Sequence, residues 1–226
     1  MKDNFHPDKS KGSLHLGLIP DGGRRWAAKN AMTLMDSYSV TREHLAAFVP
    51  KLIQEGVHEI SIYLSSSQNY KRDKHVISAF TSAIRIALFK DLTALSKQLN
   101  IQIAVAGNPS FLGAETEIAL NELVQSSLGI RSARINLCIA YNPIEEIAQA
   151  HNLTSENENF TDHLWITNPL DLVIRTGNAN LLSNFLPLQS GYARFYFSEK
   201  LFNDLLWEDI ARYIDIYKQL DLKYGE

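Results

Sequence analysis

The chain predicts an α/β fold, with a mostly parallel central sheet and helices on both faces. Two observations predict it. Short apolar runs of strand length alternate with longer stretches of helical period. The runs are also rich in Leu, Ile and Val, as parallel strands buried on both faces are. The 226 residues are 45% hydrophobic and 21% charged, an ordinary globular composition that excludes collagen-like, coiled-coil and disordered classes.

The first predicted strand is Leu14–Ile19, and the others cover 59–64, 102–106, 134–141 and 171–174. Predicted helices cover 24–30, 41–55, 73–99, 114–127, 144–151 and 205–222. Gly56 stops the second of these, and Pro50 within it predicts a kink or a break. The 73–99 stretch carries Val76, Phe80, Ile84, Leu88, Leu92, Leu95 and Leu99 at near-helical spacing. Ile77, Ile86 and Phe89 widen that stripe, so the helix should touch either the sheet or an apolar cavity on a second side. The polar stretch 152–162 predicts an exposed loop.

A net charge of −3 gives no global basic field for nucleic acid. The one cysteine, Cys138, excludes an intramolecular disulfide and zinc sites built from several thiolates. No apolar run reaches the length of a transmembrane helix. Residues 1–13 are polar and read as a disordered N-terminal tail ahead of a single domain, 14–226, in a cytoplasmic protein.

In open parallel sheets ligands bind at the carboxyl ends of the strands. Three such ends carry similar chemistry here. The first is Pro20-Asp21-Gly22-Gly23-Arg24-Arg25-Trp26, where glycines permit close approach and a helix start and two arginines favour an anion. Asp21 would repel a phosphate unless a cation such as Mg²⁺ lay between them. A capped glycine turn with surface arginines reads equally well from residue type; position at a strand end favours a site. The second end is Ser65-Ser66-Ser67-Gln68-Asn69-Tyr70-Lys71-Arg72. The third is Arg175-Thr176-Gly177, followed by Leu182-Ser183-Asn184-Phe185. Hydroxyls and guanidiniums suit phosphate oxygens. Neither a P-loop nor a dinucleotide fingerprint is present.

In order and spacing these motifs resemble the cis-prenyltransferase family, which contains undecaprenyl diphosphate synthase. The resemblance runs from about Leu14 to Gly225. It implies a homodimer, an apolar tunnel between sheet and helices, Mg²⁺, and transfer of an allylic prenyl group from its diphosphate. It makes Asp21 the catalytic metal ligand, with Ser66 and Asn69 positioning substrate. It places Arg25 and Arg72 on the allylic diphosphate and Arg175 and Ser183 on the second diphosphate. Gly22, Gly23 and Arg24 join the diphosphate site, and Trp26, Tyr38, Leu64 and Tyr70 are expected in the tunnel.

Departures from the family pattern set further expectations. Leu34, Tyr38 and Leu181 stand where the family carries an arginine, a histidine and an arginine. Asn142-Pro143-Ile144 replaces a Gly-Gly-Arg, and Arg194 replaces a glutamate associated with the metal. Arg194 is therefore expected to contact diphosphate directly. Several changes resemble the lavandulyl and cyclolavandulyl diphosphate synthases: Arg24-Arg25-Trp26 with Lys29-Asn30, the Asp36-Ser37-Tyr38 region and Pro187-Leu188. That branch joins two dimethylallyl diphosphates head-to-middle, in some members with cyclisation. The alternatives are head-to-tail synthesis of a short Z-prenyl diphosphate from isopentenyl diphosphate, a cyclase or lyase on one allylic diphosphate such as geranyl diphosphate, and a non-catalytic partner subunit. Leu64, where long-chain relatives often have alanine, predicts a short product. The tail Lys223-Tyr224-Gly225 resembles an ending that reaches a partner's diphosphate in some members.

Overall fold

The computed structural model describes residues 13–71, 73–129 and 132–220. Six strands form one sheet in the order β3-β4-β2-β1-β5-β6, and every neighbouring pair is parallel. The strands are β1 Leu14–Ile19, β2 Val57–Tyr63, β3 Ile101–Gly107, β4 Ala133–Ile139, β5 Leu172–Arg175 and β6 Arg194–Phe197. The helices are α1 Gly23–Lys29, α2 Leu34–Gln54, α3 Lys74–Ile86, α4 Thr93–Leu99, α5 Ala114–Ser126, α6 Pro143–Leu153 and α7 Trp207–Lys218.

One sheet face carries Leu16, Leu18, Ile60, Ile62, Ile135 and Leu137, packed with residues of α2, α3 and α7 in the main core. The alternate residues face the other way and form a polar layer. Glu59 there is 1% exposed, and its carboxylate accepts from Asn136 Nδ2 at 2.9 Å and Asn168 Nδ2 at 2.7 Å. His15 Nε2 lies 2.8 Å from Ser61 Oγ. Burial lowers the His15 pKa, against the opposing pull of Glu59.

Four differences from the sequence expectations have physical causes. First, α2 begins at Leu34, two turns earlier than predicted. Thr33 caps it: its hydroxyl accepts from the Asp36 N–H, and Asp36 accepts back from the Thr33 N–H. Second, α2 is not broken at Pro50. Buried Phe48, Val49 and Leu52 anchor both sides of the proline, and this packing outweighs the lost hydrogen bond. Third, the predicted 73–99 helix contains a π-helical segment, Ala87–Leu92, between α3 and α4. Fourth, β6 went unpredicted, since its four half-exposed residues carry no run of buried apolar side chains.

Candidate active site

The cluster at the carboxyl ends of β1 and β5 begins with register. Ile19 pairs with Arg175, so Asp21 and Arg175 leave the sheet side by side. Thr176, fully buried, fastens them: its Oγ1 accepts from the Asp21 N–H at 2.9 Å and donates to the Asp21 carbonyl at 2.9 Å. Arg175 Nη2 then donates to Asp21 Oδ2 at 2.9 Å, and Arg25 Nη2 lies 3.4 Å from Asp21 Oδ1. The carboxylate thus sits between two guanidiniums. Gly22 has φ 112°, and a Cβ there would lie 2.7 Å from Leu201 Cδ2. Gly177 has φ 85°, and a Cβ there would lie 2.6 Å from Arg25 Nη2. Both positions need glycine for this close approach.

Arg175 also shapes the third loop. Its Nη1 donates to the Leu181 carbonyl at 2.6 Å and to Ser183 Oγ at 2.8 Å. Ser183 and Asn184 hold positive φ, 51° and 61°, a strained state that persists only where surrounding contacts enforce it. Tyr63 supplies another contact, donating from its hydroxyl to the Ser183 carbonyl at 2.9 Å. Its ring packs 4.9 Å from Phe185, and burial pushes its phenol up to about 12.

The second loop closes against β4. Ser66 bridges to Tyr141, and Ser65 Oγ accepts from the Ala140 N–H at 2.9 Å. Asn69 Oδ1 accepts from the Ser66 N–H at 3.3 Å, and Tyr70 stacks on Phe111 at 4.6 Å. Behind this loop, Tyr141 donates to the buried Glu146 carboxylate at 2.5 Å. Burial raises the Glu146 pKa, and the hydrogen bond from Tyr141 opposes that shift.

The three loops line one open mouth of about 540 Å³, to which Asp21, Gly23, Ser66, Asn69, Arg175 and Ser183 contribute. It borders an apolar pit of about 90 Å³, and Tyr38, Thr41, Leu64 and Phe80 line both. Tyr38 meets Phe80 edge to face at 6.0 Å across that border. Ser37 and Asn203 hold this part of α2. Ser37 Oγ donates to the Gly23 carbonyl, and Asn203 Nδ2 donates to the Ser37 carbonyl, both at 2.8 Å.

The structure therefore brings together Asp21, Gly23, Ser66, Asn69, Arg175 and Ser183 in the lining of the mouth, with Tyr38, Leu64 and Tyr70 along its apolar wall, while Gly22 and Arg25 adjoin Asp21 outside that lining. Three expectations need correction. Trp26 is not in the wall of the mouth or the pit; it is buried against the 202–204 turn, and its Nε1 donates to Asp204 at 2.8 Å. Arg24 is exposed on α1 outside the mouth lining. Arg194 begins β6 and pairs with Leu172, whereas Phe197 is level with Arg175. Three residues of strand rise put Arg194 about 10 Å below the rim, so this chain's fold does not bring it to its own mouth. Arg72 and the 223–225 tail lie outside the described residues. Thr176 and Tyr63 were missed as site residues. Thr176 had a signal in its place beside Arg175, whereas Tyr63 looked like ordinary strand.

One carboxylate at a cationic mouth fits Mg²⁺ only if the substrate's own oxygens complete the shell. Asp21 is the one carboxylate there, and among the described residues no group of three or more His, Cys, Asp or Glu side chains could hold a metal without substrate. Fold and mouth together define an α/β protein with arginines and hydroxyls gathered at strand ends beside an apolar pit.

Comparison with known proteins extends this. The family described as putative undecaprenyl diphosphate synthase matches residues 19–225. Isoprenyl transferase of Rickettsia bellii (strain RML369-C) is 30% identical over 94% of this chain and 97% of its own length. That of Campylobacter jejuni (strain RM1221) is 28% identical over 94% and 98%. A crystal structure of lavandulyl diphosphate synthase from Lavandula x intermedia, in complex with dimethylallyl diphosphate, matches with TM-score 0.86 at 25% identity, covering 94% of this chain and 98% of that one. A probable undecaprenyl diphosphate synthase from Campylobacter jejuni matches with TM-score 0.75 at 25% identity, covering 95% and 99%. The chain belongs to the undecaprenyl diphosphate synthase family and is a prenyltransferase, a prenyl diphosphate synthase of the cis-prenyltransferase fold. The family is in general Mg²⁺-dependent. No helix among the described residues is long and apolar enough to cross a membrane.

Proposed function

We propose that this enzyme makes a short prenyl diphosphate by irregular, head-to-middle condensation of dimethylallyl diphosphate. The observation that carries the reading is the small apolar pit beside the cationic mouth. A five-carbon group suits that pit, and its walls leave little room for several isoprene units. The backbone likeness to lavandulyl diphosphate synthase supports the irregular mode, as do Leu34, Tyr38 and Leu181 in place of cations. The similarity to isoprenyl transferases supports head-to-tail elongation as the second reading.

The chemistry follows from the residues. Ionising an allylic diphosphate places negative charge on the leaving group, and Arg25, beside Asp21, is the residue that would stabilise that charge. Asp21 is the residue that would hold Mg²⁺ through the diphosphate; the ion would supply charge neutralisation there. Ser183 and Arg175 bind the second diphosphate, and Ser66 and Asn69 orient substrate. Leu64, Tyr38 and Phe80 exclude water from the allylic carbons.

The proposal extends to a single catalytic domain over 14–226, working in the cytoplasm as a homodimer. The edge strand β6 supports the dimer, since Phe195 and Phe197 stack in parallel there while 39% and 37% exposed. Light scattering on a sizing column tests it, and a monomer at micromolar concentration refutes it. Incubation with dimethylallyl diphosphate alone, and with added isopentenyl diphosphate, tests the reaction. Mass spectrometry of dephosphorylated products reads the outcome. A ten-carbon branched or cyclic product from dimethylallyl diphosphate alone is expected. Product only when both substrates are present overturns the irregular mode in favour of elongation.

A further inference from the structure

We propose that the ion pair between Arg42 and Asp91 is a buckle across the wall of the apolar pit that limits the length of allylic donor the enzyme accepts. The proposal rests on the reading of the pit as the hydrocarbon site.

Both residues line the pit, among side chains that are otherwise almost entirely apolar. Arg42 follows Thr41 on α2, one turn beyond Tyr38 at the border with the mouth. Asp91 belongs to the π-helical segment between α3 and α4. Arg42 Nη1 donates to Asp91 Oδ2 at 2.5 Å, and Nη2 lies 3.0 Å from Glu43 Oε1. The two side chains are only 12% and 15% exposed.

Ala83, Ile84 and Ala87 line the pit ahead of Asp91, and Leu92 and Leu95 line it beyond. Asp91 shares their wall at ordinary helical spacing, seven residues after Ile84 and four before Leu95, and faces α2 through its contact with Arg42. π-helical segments recur at functional positions in other proteins, which agrees with a role beyond packing.

The pair then resists widening for an electrostatic reason. A longer donor could enter only by pushing α2 away from the π segment. That movement would separate two largely desolvated charges beside hydrocarbon, which is far costlier than shifting apolar side chains. An apolar wall would have yielded through rotamer changes. The ion pair makes this side of the pit stiff, whereas Leu64 on the sheet side only occupies space.

The test is direct binding, so its result does not depend on the mode of coupling. Dimethylallyl, geranyl and farnesyl diphosphates, each as the thiolodiphosphate analogue that resists ionisation, are titrated by calorimetry into the full chain with Mg²⁺, for wild type and for Arg42→Ala/Asp91→Ala. The wild type should bind dimethylallyl diphosphate at least as tightly as the longer two. The double variant should gain about tenfold or more for geranyl diphosphate, the scale expected when several methyl and methylene groups become buried. Its affinity for dimethylallyl diphosphate should change by less than that for geranyl diphosphate, so the order of affinities shifts toward the longer donor. If the alanine pair does not fold, Arg42→Met/Asp91→Leu removes the charges with less lost volume and is read by the same contrast. A folded variant with the wild-type order of affinities overturns the proposal. Wild-type protein that binds farnesyl diphosphate most tightly also overturns it. Binding that behaves as expected, combined with head-to-tail products, would sink the irregular mode and leave the buckle standing.

Discussion

The mouth and the pit meet at four shared side chains but are built on opposite principles. The mouth is made by strand ends, and its groups are held by short hydrogen bonds: Thr176 with Asp21, Arg175 to Ser183, Tyr63 to the Ser183 carbonyl. The pit is made by the flanks of α2, α3, the π segment and the sheet, and its shape comes mostly from side-chain volume, with the Arg42–Asp91 pair as its one charged contact among the described residues. Small changes in the mouth should therefore alter rate. Small changes in the pit should alter which substrate fits. That contrast gives a scale of tests.

The largest effect is expected for Asp21→Ala. Turnover should fall by ~10²-fold or more, the scale for removing one charge-organising group, with thermal stability near wild type. Steady-state kinetics beside a melting curve checks this. Wild-type turnover in the folded variant would remove Asp21 from the chemistry. Thr176→Val comes next. It leaves the part-buried Asp21 N–H without its acceptor, at a cost of about 1 kcal/mol in chemical denaturation. A variant as stable as wild type would show that the hydroxyl does not hold the Asp21 loop.

Leu64→Ala should act on selection more than on rate. The ratio of kcat/KM for geranyl over dimethylallyl diphosphate should rise, because removing methylenes from a packed wall opens space. A drop in rate with both donors and no change in ratio would break the contrast between mouth and pit. The smallest effect lies outside both regions. Burial lowers the His15 pKa below its ordinary 6.5, so the unfolded chain takes up the proton first on acidification. The stability this provides is full above pH 6.5 and is lost as pH falls below that value. Unfolding free energy should therefore slope more steeply with pH in wild type than in His15→Gln across this window. Parallel curves would exclude His15 as the source.

Much of this molecule was legible from local pattern. Leu14–Ile19 is observed with its predicted bounds, and the loops that follow β1, β2 and β5 were recognisable from glycines, hydroxyls and arginines after apolar runs. The start of α2 was legible too, since Thr33 and Asp36 have capping-box spacing, yet the apolar period around Thr41 drew attention away from it. Arg194 was misplaced for a different reason. Alignment with a family pattern says which residue stands in a column, while the register of β6 against β5 decides whether that residue is level with Arg175.

Local chemistry was thus sufficient to mark the loops at the strand ends that meet in the mouth, because glycine turns, caps and apolar runs act over a few residues. The meeting of those ends was not written in any local window. Asp21 and Arg175 touch because β1 lies between β2 and β5 in the sheet. Arg42 and Asp91, 49 residues apart, touch because α2 packs against the α3–π segment over the sheet. Such contacts form only when distant segments bury apolar surface together, and that cooperative packing sets their geometry.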